Sequence, residues 1–278
     1  IDTIREYTHA MARELRVCGL MNVQYAVKDE VVYVLEVTPR ASRTVPFVAK
    51  ATGVALAKVA SQLMAGQTLA ELGLSAEPTP PLQSVKEAVL PFKRFPGADT
   101  LLGPEMRSTG EVMGIAKTFG LAYAKAELAA GEALPITGTC FLSTHDRDKE
   151  ALVPVAKALV QLGFALIATS GTASVLAAAG LPVEPILKVH EGRPNIEDAI
   201  RSGLIQLIIN TPIGRQAAHD DKYLRRAALD YTVPTVTTLA GARAAVEAIT
   251  SLQQHQLELH ALQDIHPGLA GSGAAKPG

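Results

Sequence analysis

Two patterns in this sequence could do chemistry. Glu36 closes the apolar run Val31-Val32-Tyr33-Val34-Leu35 and is followed by Arg40 and Arg43, three residues apart. A carboxylate supplies the hard oxygen that Mg²⁺ takes, and guanidinium forks match phosphate oxygens. These are the parts of a metal-phosphate site; spacing alone leaves an ordinary surface carboxylate at a strand end equally open. The second pattern is Ala168-Thr169-Ser170-Gly171-Thr172-Ala173, an apolar strand running into a helix start with a glycine and two threonine hydroxyls. Backbone N–H groups at such a junction face anions, although an ordinary N-cap would use the same residues. Lys149, Lys188 and Asn210-Thr211 also fall at strand ends or at the start of the next helix, where doubly wound sheets bind ligands.

Those residues need elements to hold them. Asn22–Val27 and Val31–Leu35 read as a hairpin joined at Lys28-Asp29-Glu30, preceded by a helix with Ile4, Tyr7, Met11 and Leu15 at helical spacing. Helices are expected at 45–51, 56–64 and 118–130, and extended segments at 85–91 and 110–115. Glu77-Pro78-Thr79-Pro80-Pro81 reads as a linker, and Gly131–Pro135 as a domain boundary. From Gly138 the rhythm becomes short apolar strands alternating with helices, which implies a parallel sheet covered on both faces. The fold class is therefore α/β. The Gln/His-rich end and the Gly/Ala-rich Gly268–Ala275 stretch are expected to be disordered.

The run Glu36-Val-Thr-Pro-Arg-Ala-Ser-Arg-Thr-Val-Pro-Phe47, its continuation to Gly53, and Leu102-Gly103-Pro104-Glu105-Met106-Arg107-Ser108-Thr109-Gly110-Glu111-Val112-Met113-Gly114 resemble the large subunit of carbamoyl-phosphate synthetases. The resemblance extends to about Ile249 and implies a C-terminal portion of that family. It divides the chain into the end of the second ATP-grasp domain (1–133), a methylglyoxal-synthase-like allosteric domain (134–255) and a tail (256–278). The glycine-rich phosphate lid and adenine lobe would lie upstream of Ile1, where the sequence opens inside a helix without an initiating Met.

The same resemblance implies the site residues. Gln24, Glu36 and Thr38 match residues that reach Mg²⁺ or Mn²⁺ and ATP, with Thr38 where the family usually has Asn. Arg40 and Arg43 match arginines that face the phosphates and the phosphorylated intermediate. Ser143, Lys149, Thr169, Thr172, Lys188, Asn210 and Thr211 match a site for a nucleoside monophosphate of the UMP or IMP class. Ser170 replaces a common His there, and Pro212 a second Thr. Arg193, within His190-Glu191-Gly192-Arg193-Pro194, assists phosphate binding or only shapes a loop. Glu87 and Leu90 border an ornithine pocket, whose matching Tyr is Thr235 here. The implied activity is ATP-dependent synthesis of carbamoyl phosphate from bicarbonate and ammonia, with a glutaminase small subunit as partner.

Composition sets the remaining bounds. Hydrophobic residues make up 48% of 278, enough for substantial cores, and the net charge of −1 carries no basic stripe for nucleic acid. No apolar run is long enough to span a bilayer. The expected location is the cytoplasm, with a plastid open, and homo-oligomerisation is left open. Cys18 and Cys140 read as two buried, inert thiols. Three functions compete: a synthetase segment, a stand-alone nucleotide-binding regulatory module, and a methylglyoxal synthase. The last needs a catalytic Asp in a Gly-Gly-Asp turn, and Pro212–Ala218 contains none.

Overall fold

The computed structural model describes residues 1–95, 100, 102, 105–211 and 222–267. Gly103-Pro104 of the second family stretch, the Pro212–Ala218 stretch and the Gly268–Ala275 stretch lie outside them. The chain divides into two compact units, Ile1–Pro81 with Leu259–Gly278, and Leu82–Glu258. The cut falls at the end of the Pro-rich stretch. Gly131–Pro135 lies inside the second unit.

The first unit begins with α1 (Asp2–Glu14), β1 (Asn22–Lys28) and β2 (Val31–Thr38). Asp29 and Glu30 take left-handed backbone (φ 50 and 64), which lets the antiparallel strands turn directly. The hairpin remains a two-stranded sheet. Its expected apolar stripe is only partly covered: α1 buries no residue, and Leu35, Val31 and Tyr33 are 65%, 50% and 49% exposed. The Tyr25 hydroxyl reaches Thr8 Oγ1 at 2.6 Å and fixes α1 on the hairpin. Cys18, in the turn after α1, is exposed, against expectation. α2 (Thr44–Thr52) ends at Gly53 in the left-handed region, and α3 spans Leu56–Met64. Part of the expected disordered tail is ordered: helix α10 spans Leu262–Ile265. His266 is 8% exposed, and a Cβ on Gly53 would lie 2.7 Å from its Nδ1.

The second unit opens with β3 (Gln83–Val89) and β4 (Gly110–Ala116), an antiparallel pair covered by α4 (Phe119–Ala130). α4 is apolar almost all round because it packs on two sides. A Cβ on Gly114 would collide with the Ala122 carbonyl, and one on Gly120 would meet Ser251 and the Glu247 carbonyl of the helix Leu239–Gln254. Then come β5 (Thr139–Thr144), α5 (Lys149–Gln161), β6 (Ala165–Thr169), α6 (Ser170–Ala178) and β7 (Glu184–Ile186). After them come α7 (Ile196–Arg201), β8 (Leu207–Thr211), α8 (Lys222–Asp230), β9 (Thr235–Val236) and α9 (Leu239–Gln254).

The sheet is five-stranded in the order β7-β6-β5-β8-β9, with every pairing parallel. Alternation along the strands divides its core. Cys140, Leu142, Leu207 and Ile209 pack with Leu152, Leu159, Leu176 and Ile249 on one face. Phe141, Ile167 and Ile208 pack with Ile196, Ile200 and Leu224 on the other. A strand buried on both faces reads as a continuous apolar run, which is how β5 and β8 read. Burial also pushes the Cys140 thiol up.

Candidate functional site

In the first unit, antiparallel register sets Gln24 opposite Glu36 and Asn22 opposite Thr38. Cross-strand partners and their i±2 neighbours share a face, so four oxygen-bearing side chains lie together. Thr38 Oγ1 donates to Glu36 Oε1 at 2.8 Å. Gln24 and Glu36 are both exposed. Arg40 donates through Nη1 to the Ala41 carbonyl at 2.7 Å, and Arg43 is the N-cap residue of α2. Sequence reasoning missed Asn22, whose Oδ1 accepts from Ser42 at 3.4 Å; period-two alternation from Gln24 would have pointed to it. Among the described residues no three His, Cys, Asp or Glu side chains gather to hold a metal. The register thus sets the Glu36 carboxylate beside the neutral oxygens of Gln24, Asn22 and Thr38. That donor set fits Mg²⁺ shared with phosphates, which takes one or two carboxylates from protein and the rest from substrate and water.

In the second unit the seven expected effector residues split into a buried group and a charged rim. The strand order reverses between β5 and β8, where open α/β sheets form their ligand crevice. Register places Ser143 beside Asn210 and Thr144 beside Thr211 at the carboxyl ends of those strands. Thr169 Oγ1 donates to Ser143 Oγ at 3.4 Å and to Thr172 Oγ1 at 3.3 Å, and Thr144 N donates to Thr172 Oγ1 at 3.4 Å. Thr169, Thr172, Asn210 and Thr211 are all buried. Thr144 Oγ1 and Thr211 Oγ1 are buried with no partner among the described residues.

Thr169 occupies the N-cap position of α6, yet its side chain makes no capping bond. The ordinary N-cap reading therefore fails. Thr118 and Thr238, by contrast, cap their helices through Leu121 N and Gly241 N. At the rim, Lys149 Nζ lies 2.7 Å from where a Cβ on Gly171 would stand, and it pairs with Asp146 at 2.6 Å. The Lys149 hydrogen bond and charge, with lesser help from His145 and Lys188, hold the Asp146 carboxyl below its usual range. Lys188 is exposed, its backbone N–H bound to Glu191 at 2.8 Å. Arg193 pairs with Asp198 at 3.8 Å.

Glu87 belongs to neither group. It is half-buried on β3, with Oε1 accepting from Ala88 N at 2.9 Å. Its charge acts on Tyr123 and Glu127 of α4. Burial, with the nearby Glu87 and Glu132 charges, pushes the Glu127 carboxyl up to about 7. Thr235 sits on β9 and donates to the Val233 carbonyl.

Residues 1–72 match the carbamoyl-phosphate synthase L chain ATP binding domain, and residues 151–237 match the MGS-like domain. The class is thus an ATP-binding segment of a synthase large chain followed by an MGS-like domain. Over 265 residues the chain is 59% identical to a carbamoyl phosphate synthase large chain of Synechocystis sp., covering 95% of itself and 24% of that relative. It is 54% identical over 266 residues to the chloroplastic arginine-specific large chain of Oryza sativa (95% and 23% covered). A large chain of Archaeoglobus fulgidus is 53% identical over 267 residues (96% and 25%). The chain belongs to the carbamoyl phosphate synthase large chains, as a C-terminal portion of one, and spans about a quarter of their length.

Proposed function

We propose that the chain serves an ATP-dependent ligase making carbamoyl phosphate from bicarbonate and glutamine-derived ammonia, for pyrimidine and arginine biosynthesis. In this reading residues 1–133 end an ATP-grasp domain, 134–255 form the effector domain, and 256–278 are the tail. Gln24, Glu36 and Thr38 would hold Mg²⁺ or Mn²⁺ against the ATP phosphates. When bound, the cation neutralises charge on the transferred phosphoryl group. Arg40 and Arg43 orient the phosphates and the phosphorylated intermediate from the loop after β2. A glutaminase small subunit supplies ammonia, and the protein works in the cytoplasm or a plastid. Among the described residues no helix is long and apolar enough to cross a membrane. Glu87, with Leu90, is assigned to an ornithine pocket; Glu127 beside it has its carboxyl pushed up to about 7 by burial.

The effector domain takes a nucleoside monophosphate of the UMP or IMP class by its phosphate. One observation carries this: the first turn of α6 has no side-chain cap, while the Lys149 ammonium lies over Gly171. Uncapped amides and an ammonium together suit a dianion. Calorimetric titration of the chain with UMP and IMP tests it. Saturable binding at micromolar concentration is expected, and no heat at millimolar nucleotide would refute it.

A second reading, a regulatory module without catalysis of its own, is favoured by the exposure of Gln24 and Glu36. Positioning supplies most of the catalysis in phosphoryl transfer, and an open face positions little. ADP release by this chain with bicarbonate separates the two readings. A turnover near the ~1 s⁻¹ low end for kinases would exclude the module.

A further inference from the structure

The strand-end site carries its own anion. Asp146 is the first residue of the short 3₁₀ turn after β5, and Lys149 three residues later opens α5. The carboxylate is 88% exposed and the lysine 17%, so the ammonium is held inward by a group that is itself in water. Among the described residues beyond its chain neighbours and its own helix backbone, a Cβ on Gly171 would meet within 4 Å Lys149 Nζ and Cε alone, so Gly171 leaves the space through which the ammonium reaches the first turn of α6.

Lys188 and His145 act on the Asp146 carboxyl in the same direction as Lys149, which places it in the field of the rim cations. Asp148, two residues along, is differently placed and pairs with Arg147 at 3.6 Å.

We infer that Asp146 is an internal competitor for the anion: its carboxylate parks Lys149 over α6, and an incoming phosphate must displace it. The inference rests on reading this site as a phosphate site. Asp146 thereby sets the affinity of the site, keeping Lys149 in place when ligand is absent and weakening every ligand that uses Lys149. Its carboxyl is held below the usual range, so mild acid does not release Lys149 and displacement falls to the ligand. Exposed ion pairs are weak, so removing the competitor gains about two- to fivefold in affinity.

The test is titration of the whole chain with UMP at low and high salt, comparing the parent with Asp146→Asn, Asp148→Asn and Lys188→Ala. Asp146→Asn is expected to tighten binding about two- to fivefold and to steepen its salt dependence, since the site gains a net positive charge. Asp148→Asn should leave both unchanged. An unchanged or weaker Asp146→Asn protein overturns the inference, as does an equal gain in Asp148→Asn, which would mean general electrostatics. Lys188→Ala reports on the site itself: binding by the parent that is lost in this variant upholds the phosphate site whatever Asp146 does. If neither the parent nor Asp146→Asn binds millimolar UMP, the site reading falls and the competitor with it.

Discussion

The hairpin of the first unit and the strand ends of the second both gather polar side chains at the end of β structure, but they are built differently. Around Glu36 a two-stranded sheet offers one face, and Gln24, Glu36, Arg40 and Arg43 are exposed. Around Thr169 a five-stranded sheet, covered on both faces, buries Thr169, Thr172, Asn210 and Thr211. Buried polar groups must be hydrogen-bonded or ligand-bound. The second arrangement is therefore committed to its geometry by its own core. The first depends on other surface to fix it.

The largest way to break this comparison is through packing. Gly114→Ala drives a Cβ into the Ala122 carbonyl and within 2.7 Å of Ala126 N; overpacking of this kind costs about 1–3 kcal/mol. Leu35→Ser, at a position 65% exposed, should stay within about 0.5 kcal/mol. Urea unfolding measures both, and equal losses would erase the contrast.

Next comes Thr172→Val. It keeps the shape but removes the oxygen that accepts from Thr144 N and Thr169 Oγ1. Leaving buried donors unpaired costs about 1–3 kcal/mol, read from the same denaturation curves. A neutral result would make that hydroxyl network incidental.

The third test is pH. Glu127 holds its proton up to about 7 in the folded protein, against an ordinary 4.5. Folded protein therefore binds more protons than unfolded between those values, and stability falls as pH rises through that window. Glu127→Gln should flatten the slope of unfolding free energy against pH between 5 and 7. A slope unchanged by the substitution would mean that Glu127 does not titrate there.

The smallest effect is at Thr38. Thr38→Asn replaces a hydroxyl that donates to Glu36 with an amide carbonyl able to meet a cation. In a full-length large chain it should lower the Mg²⁺ requirement while leaving stability within about 0.5 kcal/mol. Identical Mg²⁺ curves would show that Glu36 and Gln24 suffice.

Much of this was legible because the signals were local. Short apolar runs such as Cys140–Leu142, Ala165–Ala168 and Leu207–Ile209, alternating with helical stretches, read as strands of a parallel sheet covered on both faces, and Lys149, Thr169 and Asn210 became candidates by standing at or near strand ends. The helix at Leu56–Met64 has the expected bounds. What stayed illegible was non-local. Period-3.6 spacing placed Ile4, Tyr7 and Leu15 on one stripe of α1 but could not say that little would cover it. Nothing near His266 announces that its ring packs on Gly53, more than two hundred residues earlier in the sequence. The Gly114–Ala122 and Gly120–Glu247 approaches place α4 with the second unit, although sequence rhythm puts a break at Gly131. The missing cap on α6 was equally invisible, because Thr at an N-cap position caps or does not according to where its neighbours' hydroxyls point.

The most direct measurement is UMP titration of two single variants of the whole chain, Lys188→Ala and Arg40→Ala. The strand-end account predicts that Lys188→Ala weakens binding about tenfold, as expected for losing one charge-assisted contact, and that Arg40→Ala binds like the parent. Binding that survives Lys188→Ala and is lost in Arg40→Ala would place the nucleotide on the hairpin and contradict the account.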